Sequence, residues 1–219
     1  MTHPQAAALA QGLEALGLSL PPQAPQQLLD YLDLIGRWNK VYNLTAIRDP
    51  QQMLSQHLLD CLTVVAPLRT QAATQGHADD LRLLDVGSGA GLPGVVLAIA
   101  NPGWSITCVD TVAKKATFIR QAAAELGLKN LQAVHARVEA MREPPFQMIT
   151  SRAFASLVDF IDLTRERLAP GGTWAAMKAK LTPEERGAVP ADVALFHVEP
   201  LQVPGLDAER CIVWMRPAA

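Results

Sequence analysis

Along residues 23–42, QAPQQLLDYLDLIGRWNKVY, the apolar positions recur three or four apart. Leu28, Tyr31, Leu32, Ile35, Trp38 and Tyr42 then share the inward face of an amphipathic helix. A second helix is expected over PQQMLSQHLLDCLTVVAPL, with Met53, Leu54, Leu58, Cys61, Leu62 and Val65 inward and Pro50 in its first turn. Residues 71–80 are polar and read as a linker.

From Leu81 the period changes. The short apolar runs LRLLDV, SITCVD, LQAVHAR, FQMITS and TWAAMKA read as strands. Helical patterns separate them: one running through Ala100, TVAKKATFIRQAAAELGL with Thr111 as N-cap and Gly127 at its end, and SLVDFIDLTRERLA. The last begins at Ser156 and is expected to stop at Pro170, Gly171 and Gly172. VALFHVEPLQV and ERCIVWMRP read as a closing hairpin. Such alternation implies an α/β fold with a mostly parallel sheet covered by helices on both faces. The expected organisation is a helical part, residues 1–70, followed by an α/β domain, residues 81–219.

Composition narrows the function classes. The chain has 219 residues, 49% of them hydrophobic, enough for one substantial core. The apolar run VVLAIA is far too short to span a bilayer, and the opening MTHPQAAALAQ lacks the basic region of a leader. Cys61, Cys108 and Cys211 are isolated, so they read as reduced thiols of a cytoplasmic protein. The five histidines show no metal-ligand spacing, so no metal is expected. A net charge of −2 argues against a general nucleic-acid binder. Residues 81–172, however, hold ten Lys and Arg against eight Asp and Glu, while the first 80 hold four against seven. Any RNA contact must therefore use a local basic face.

The chemistry concentrates in RLLDVGSGAGLPGVVLAIANP. GAGLPG, residues 89–94, matches the dinucleotide fingerprint, a weak signal alone. The frame around it says more. Asp85 ends the first strand, and Gly87, Gly89 and Gly91 follow in a DxGxGxG turn. A pyrophosphate needs a positive, acid-free surround, so an acid beside the turn disfavours one. It suits instead the sulfonium and amino group of S-adenosylmethionine. Pro93 also removes an amide from the helix start. Asp110, at the end of the second strand, is placed to accept hydrogen bonds from ribose hydroxyls, which suits either nucleotide. EPPF, residues 143–146, resembles an amine-orienting methyltransferase motif, but it precedes the fourth strand instead of following it and reads as a rigid entry loop.

Four segments together, RWNKVYNLTAIRDPQQMLSQHLLDCL, LLDVGSGAGLPGVVLAI, ITSRAFASL and LQVPGLDAERCIVWM, resemble the glucose-inhibited division protein B family of bacterial small-subunit ribosomal RNA guanine-N7 methyltransferases. The likeness runs from about Leu28 to Met215, with Cys61 standing where the family often has serine. The resemblance implies a class I S-adenosylmethionine-dependent methyltransferase: a Rossmann-like seven-stranded sheet with a small helical N-terminal extension. It implies transfer of a methyl group to N7 of a guanosine near the decoding region of 16S ribosomal RNA, as free RNA or in the small subunit, by a monomer. It also implies that Gly87 and Leu92 line the donor with Asp85 and Gly89 in the same turn. Asp110 takes the ribose, Val138 and Glu139 meet the adenine, and Arg152 borders donor and target base as the candidate catalytic residue.

Guanine N7 carries an in-plane lone pair and no proton, so the reaction needs alignment and electrostatics without a general base. Extracting the base from its stack costs a few kcal/mol, roughly what one stacking contact returns, and Phe154 or an N-terminal aromatic is a candidate for it. Asn39, Asn43 and Thr45, at the end of the first long helix, either cap it or reach the guanine edge or phosphates. Arg37, Lys40 and Arg48, and on a later helix Lys114, Lys115 and Arg120, are candidate phosphate contacts. His57 and Asp60, three apart, are placed to bond each other. The alternative reading, an NAD-dependent oxidoreductase using GAGLPG, requires a substrate domain after the nucleotide fold, and only about 47 residues follow Gly172.

Overall fold

The computed structural model describes residues 3–152, 154 and 156–218. Among these, seven strands form one sheet: β1 (Arg82–Val86), β2 (Ser105–Asp110), β3 (Leu131–His135), β4 (Phe146–Ser151), β5 (Leu168–Lys178), β6 (Val193–Leu201) and β7 (Arg210–Pro217). Their order is β3-β2-β1-β4-β5-β7-β6. The first five run parallel, and β7 lies antiparallel to both β5 and β6, giving the expected hairpin. The strand order reverses between β1 and β4, so a crevice forms outside their carboxyl ends.

β1 shows why the sheet needs cover on both faces. Leu83 enters one apolar cluster with Ile106, Met148 and the helices α6 (Gly94–Ala100) and α7 (Ala113–Glu125). Leu84 and Val86 enter the other, with Phe160 and Ile161 of α8 (Leu157–Thr164). Successive residues point to opposite faces, and both faces are filled.

The N-terminal helices join the first cluster. They are α1 (Ala6–Ala15), α2 (Ala24–Tyr42), α3 (Pro50–Met53), α4 (Asp60–Leu62) and α5 (Val65–Thr74). α1 was not foreseen; Leu9 and Leu13 bury it against the rest. The second expected helix forms with Pro50 in its first turn after Asp49, whose carboxylate caps Gln52 N–H. Its six inward positions are all buried, although a π-helical turn, Leu54–Leu59, interrupts it before α4.

Several local readings need correction. α5 runs to Thr74, so part of the expected linker is helical. Thr111 does not cap α7: Val112 holds the N-cap position, and its N–H donates to Asp110 Oδ1 at 2.8 Å. Residues 170–172 do not end α8, because they lie inside β5. The helix ends at Thr164, whose hydroxyl donates to Phe160 O and accepts from Trp174 Nε1. Tyr42 was placed on the inward face of α2, yet it is 44% exposed at the helix end. A short helix, α9 (Pro183–Ala188), capped by Thr182 and Glu185, completes the described elements.

Candidate active site

The glycine turn lies at the carboxyl end of β1. Gly87, Gly89 and Gly91 have φ of 68°, 60° and 86°, conformations that favour glycine. The glycines divide by what surrounds them. A Cβ on Gly91 would stand 2.4 Å from Val95, and one on Gly94 would stand 2.2 Å from Cys108 Sγ. Those two permit close packing of turn and helix against the sheet. A Cβ on Gly87 or Gly89 would meet no heavy atom within 4 Å. A side chain at these two positions would therefore project into open space.

Two carboxylates brace the turn. Asp110 Oδ2 accepts Gly89 N–H at 2.9 Å and Oδ1 accepts Val112 N–H, with Lys115 Nζ at 3.7 Å. Each oxygen keeps lone-pair capacity for a ribose hydroxyl. Asp85 was expected beside the turn, facing a cationic ligand. It is instead wholly buried behind it: Oδ2 accepts Gly94 N–H at 2.8 Å, and Oδ1 is buried without a partner. Burial is the largest influence on its pKa, raising it to about 7 against the lowering effects of the Gly94 amide and Arg152. Leu92 likewise turns inward: its side chain is buried and its N–H donates to Ser88 O, so neither is turned outward. Beyond β3, Val138 is buried in a 3-10 turn, and the exposed Glu139 pairs with Arg137 at 2.8 Å, which holds its carboxyl below the usual range.

Helix α2 reaches this turn from outside. The buried Tyr31 Oη donates to Ala90 O at 2.5 Å, and burial pushes its phenol well above the ordinary value.

Arg152 follows β4 and joins sheet to helices. Its Nη1 donates to Gln56 O at 2.9 Å and to Asp60 Oδ2 at 3.0 Å. The other oxygen of Asp60 accepts from Arg210 Nε, at the start of β7, at 2.9 Å. Asp60 is only 3% exposed, so one buried carboxylate is shared by two guanidinium groups and the trio keeps one net positive charge. This trio, with His57, Ile47 and Lys178, lines a cavity of about 340 Å³ where β4 and β5 end. Their spacing placed His57 to bond Asp60, but it does not: its Nε2 meets Thr45 Oγ1 at 3.0 Å, and Nδ1 is buried without a partner. Burial above all, then Arg152, lowers its pKa to about 4.

The chain matches the model of a protein family described as rRNA small subunit methyltransferase G, GidB, over residues 24–213. The chain belongs to this family. Similar relatives include proteins named ribosomal RNA small subunit methyltransferase G from Methylibium petroleiphilum, 61% identical over 96% of this chain and 95% of the relative, and from Leptothrix cholodnii, 59% identical over 98% and 97%. Among solved structures, a SAM-dependent methyltransferase from Aquifex aeolicus is similar with a TM-score of 0.53 at 15% identity, covering 79% of this chain and 96% of that one. A ribosomal protein L11 methylase from Lactobacillus delbrueckii subsp. bulgaricus also gives 0.53, at 16% identity over 71% and 79%. These likenesses show the fold, a class I methyltransferase. The oxidoreductase alternative has no support among them.

Within this family member, the other candidate residues separate by burial. Asn39 is buried: its Oδ1 accepts Thr45 N–H and its amide donates to Ile47 O, so it shapes the loop of residues 43–48. Asn43 ends α2 in the left-handed region at φ 48°, and its Oδ1 accepts from Arg48 at 3.2 Å. Lys40 and Arg48 are exposed and line an open groove of about 810 Å³, together with Arg37, which pairs with Glu125. Lys115 and Arg120 are tied down, the latter to Ala133 O. Phe154 packs on Phe160 with centroids 5.3 Å apart. No group of three or more His, Cys, Asp or Glu side chains able to hold a metal occurs among the described residues, and none of their helices is long and apolar enough to cross a membrane.

The sequence reading missed Tyr31 as a brace of the turn, and also Asp60 as the partner of Arg152 and Arg210. A signal for Asp60 was present: a lone carboxylate inside HLLDCL sits where a helix buries its face.

Proposed function

We infer that this protein transfers a methyl group from S-adenosylmethionine to N7 of a guanosine in small-subunit 16S ribosomal RNA. The observation that carries this reading is the likeness to rRNA methyltransferases along nearly the whole chain, joined to a glycine turn at the carboxyl end of β1 whose Gly89 N–H is held by the strand-end Asp110. In this reading Gly87 and Gly89 hold the donor at the turn, Asp110 takes its ribose, and Val138 and Glu139 border its adenine. When bound, the donor supplies an electrophilic methyl on a sulfonium.

The protein's own work is alignment and charge. N7 offers a lone pair without a proton, so no side chain must remove one, and the neutral His57 is not needed as a base. Arg152, fixed by Gln56 O and Asp60, borders the reacting base in the 340 Å³ cavity. Positive charge moves onto the purine during transfer, and a bare guanidinium there would oppose it. Asp60 offsets that charge. Residues 1–70 then help shape the acceptor side and residues 81–219 the donor side. Lys40, Asn43 and Arg48 meet RNA phosphates, and Asn39 supports them from beneath. The protein acts as a cytoplasmic monomer and uses no metal.

Mass mapping of 16S RNA from a deletion strain tests this. One guanosine should lack a methyl group, and the purified protein with S-adenosylmethionine and EDTA should restore it. An unchanged methylation map would overturn the reading.

A further inference from the structure

Among the described residues, only three large hydrophobic side chains are exposed, and two are adjacent: Val41 at 71% and Tyr42 at 44%. They end α2, the helix that braces the glycine turn. Tyr42 is the outer member of an aromatic cluster. Its ring lies 5.0 Å from Trp38, and Trp38 lies 5.4 Å edge-on from the buried Phe118 of α7. Tyr42 is thus in contact with Trp38 on its inner side while 44% of its surface stays exposed.

The neighbouring groove is polar and of mixed charge, with Arg37, Lys40 and Arg48 alongside Asp30, Asp33 and Glu125. Lys40 precedes the pair, and Arg48 is held at the helix end by Asn43. Asp49 is occupied in capping α3, and the acids Asp30 and Asp33 lie further back along α2 in the same groove. The loop that carries Arg48 also supplies Ile47 to the wall of the 340 Å³ cavity, and Thr45 ties it to His57. An exposed ring therefore stands next in sequence to Asn43, which holds the Arg48 guanidinium, one short loop away from the cavity assigned above to the acceptor base.

We propose that Tyr42 is a stacking platform for an unpaired nucleobase of the substrate RNA, neighbouring the methylated nucleotide, while Arg48, held by the adjoining Asn43, meets its phosphate. This rests on the rRNA reading given above. A stacked base tolerates any flat aromatic partner, and such contacts are sequence-tolerant. The platform would hold the strand open after the target leaves its stack.

Binding to 30S particles and to deproteinised 16S RNA, both from a deletion strain, tests the proposal at low salt. Tyr42→Leu keeps an apolar group against Trp38 but removes the flat face, and it should weaken both affinities by roughly 5- to 100-fold. Tyr42→Phe and Tyr42→Trp should stay within about twofold. Donor affinity and melting temperature should be unchanged in all three. Wild-type affinity in Tyr42→Leu overturns the proposal, as does a parallel loss of donor binding, which would mark Tyr42 as structural. An effect on particles but not on bare RNA assigns the surface to a ribosomal protein and overturns it too. If the unaltered chain binds neither RNA nor particle, the rRNA reading falls with it, a result distinct from the others.

Discussion

Tyr31 and Ala90 are 59 residues apart, and the hydroxyl of one donates to the carbonyl of the other at 2.5 Å. The bond joins a helix outside the nucleotide fold to the apex of the glycine turn. Tyr31→Phe leaves a buried carbonyl without its partner, at a cost of about 1–3 kcal/mol. Urea unfolding should show that loss, and calorimetry should show weaker S-adenosylmethionine binding, because the turn is less firmly held.

The turn's glycines should respond in two different ways. Gly87→Ala adds a methyl group to open space and places alanine at φ 68°, at roughly 1–2 kcal/mol. Donor affinity should fall far more than that strain explains. Gly94→Ala drives a methyl into Cys108 and Asp85, so stability should fall by about 1–3 kcal/mol or more. Parallel thermal melts and donor titrations separate the two effects.

Asp60→Asn removes the charge that Arg152 and Arg210 share. Breaking a fully buried pair costs about 3–5 kcal/mol, and the partial exposure of both arginines brings the expected loss below that. Turnover on 30S particles should fall with little change in donor affinity. Equal losses in both would show that the trio serves the whole fold.

Asp85 makes stability depend on pH in an unusual direction. Its folded pKa, about 7, lies above the unfolded value of 3.8. Between those values the folded state binds more protons, so this group's contribution falls as pH rises from about 4 to 7 and stays low above. The loss is of the order of 4 kcal/mol. Asp85→Asn should flatten that part of the curve; a slope identical to wild type would exclude this origin.

His57 works the opposite way. Its folded pKa is about 4, below the unfolded 6.5. The contribution is complete above pH 6.5 and is lost as pH falls toward 4, because the unfolded chain then binds the additional proton. A His57→Gln variant should unfold less steeply with acid over that window, as measured by urea titrations at fixed pH.

The sheet was legible because its strands are uninterrupted apolar runs and its turns carry glycine. The position of Asp110, ending β2 beside the turn, was legible from the strand pattern. Distant partnerships were not. No local period tells that Asp60 faces Arg210 across 150 residues, or that Asp85 lies behind the turn, because strand-end acids look alike whichever way the pleat turns them. Asn39 could be read two ways for the same reason: an amide at a helix end serves a loop or a ligand equally well, and only the positions of Thr45 and Ile47 decide which it does here. Tyr42 misled because helical spacing predicts a face but not where the partner surface stops.

Helix α2 has one further consequence. It spans 19 residues, about 28 Å, with its grip on Ala90 about two fifths of the way along and its uncovered ring, Tyr42, at the far tip. A rod so stiff transmits tilt as a lever does. Whatever factor an acceptor pressing on the tip imposes on the hold for the donor, the donor must impose on the acceptor, since both legs of the thermodynamic cycle share the same rod.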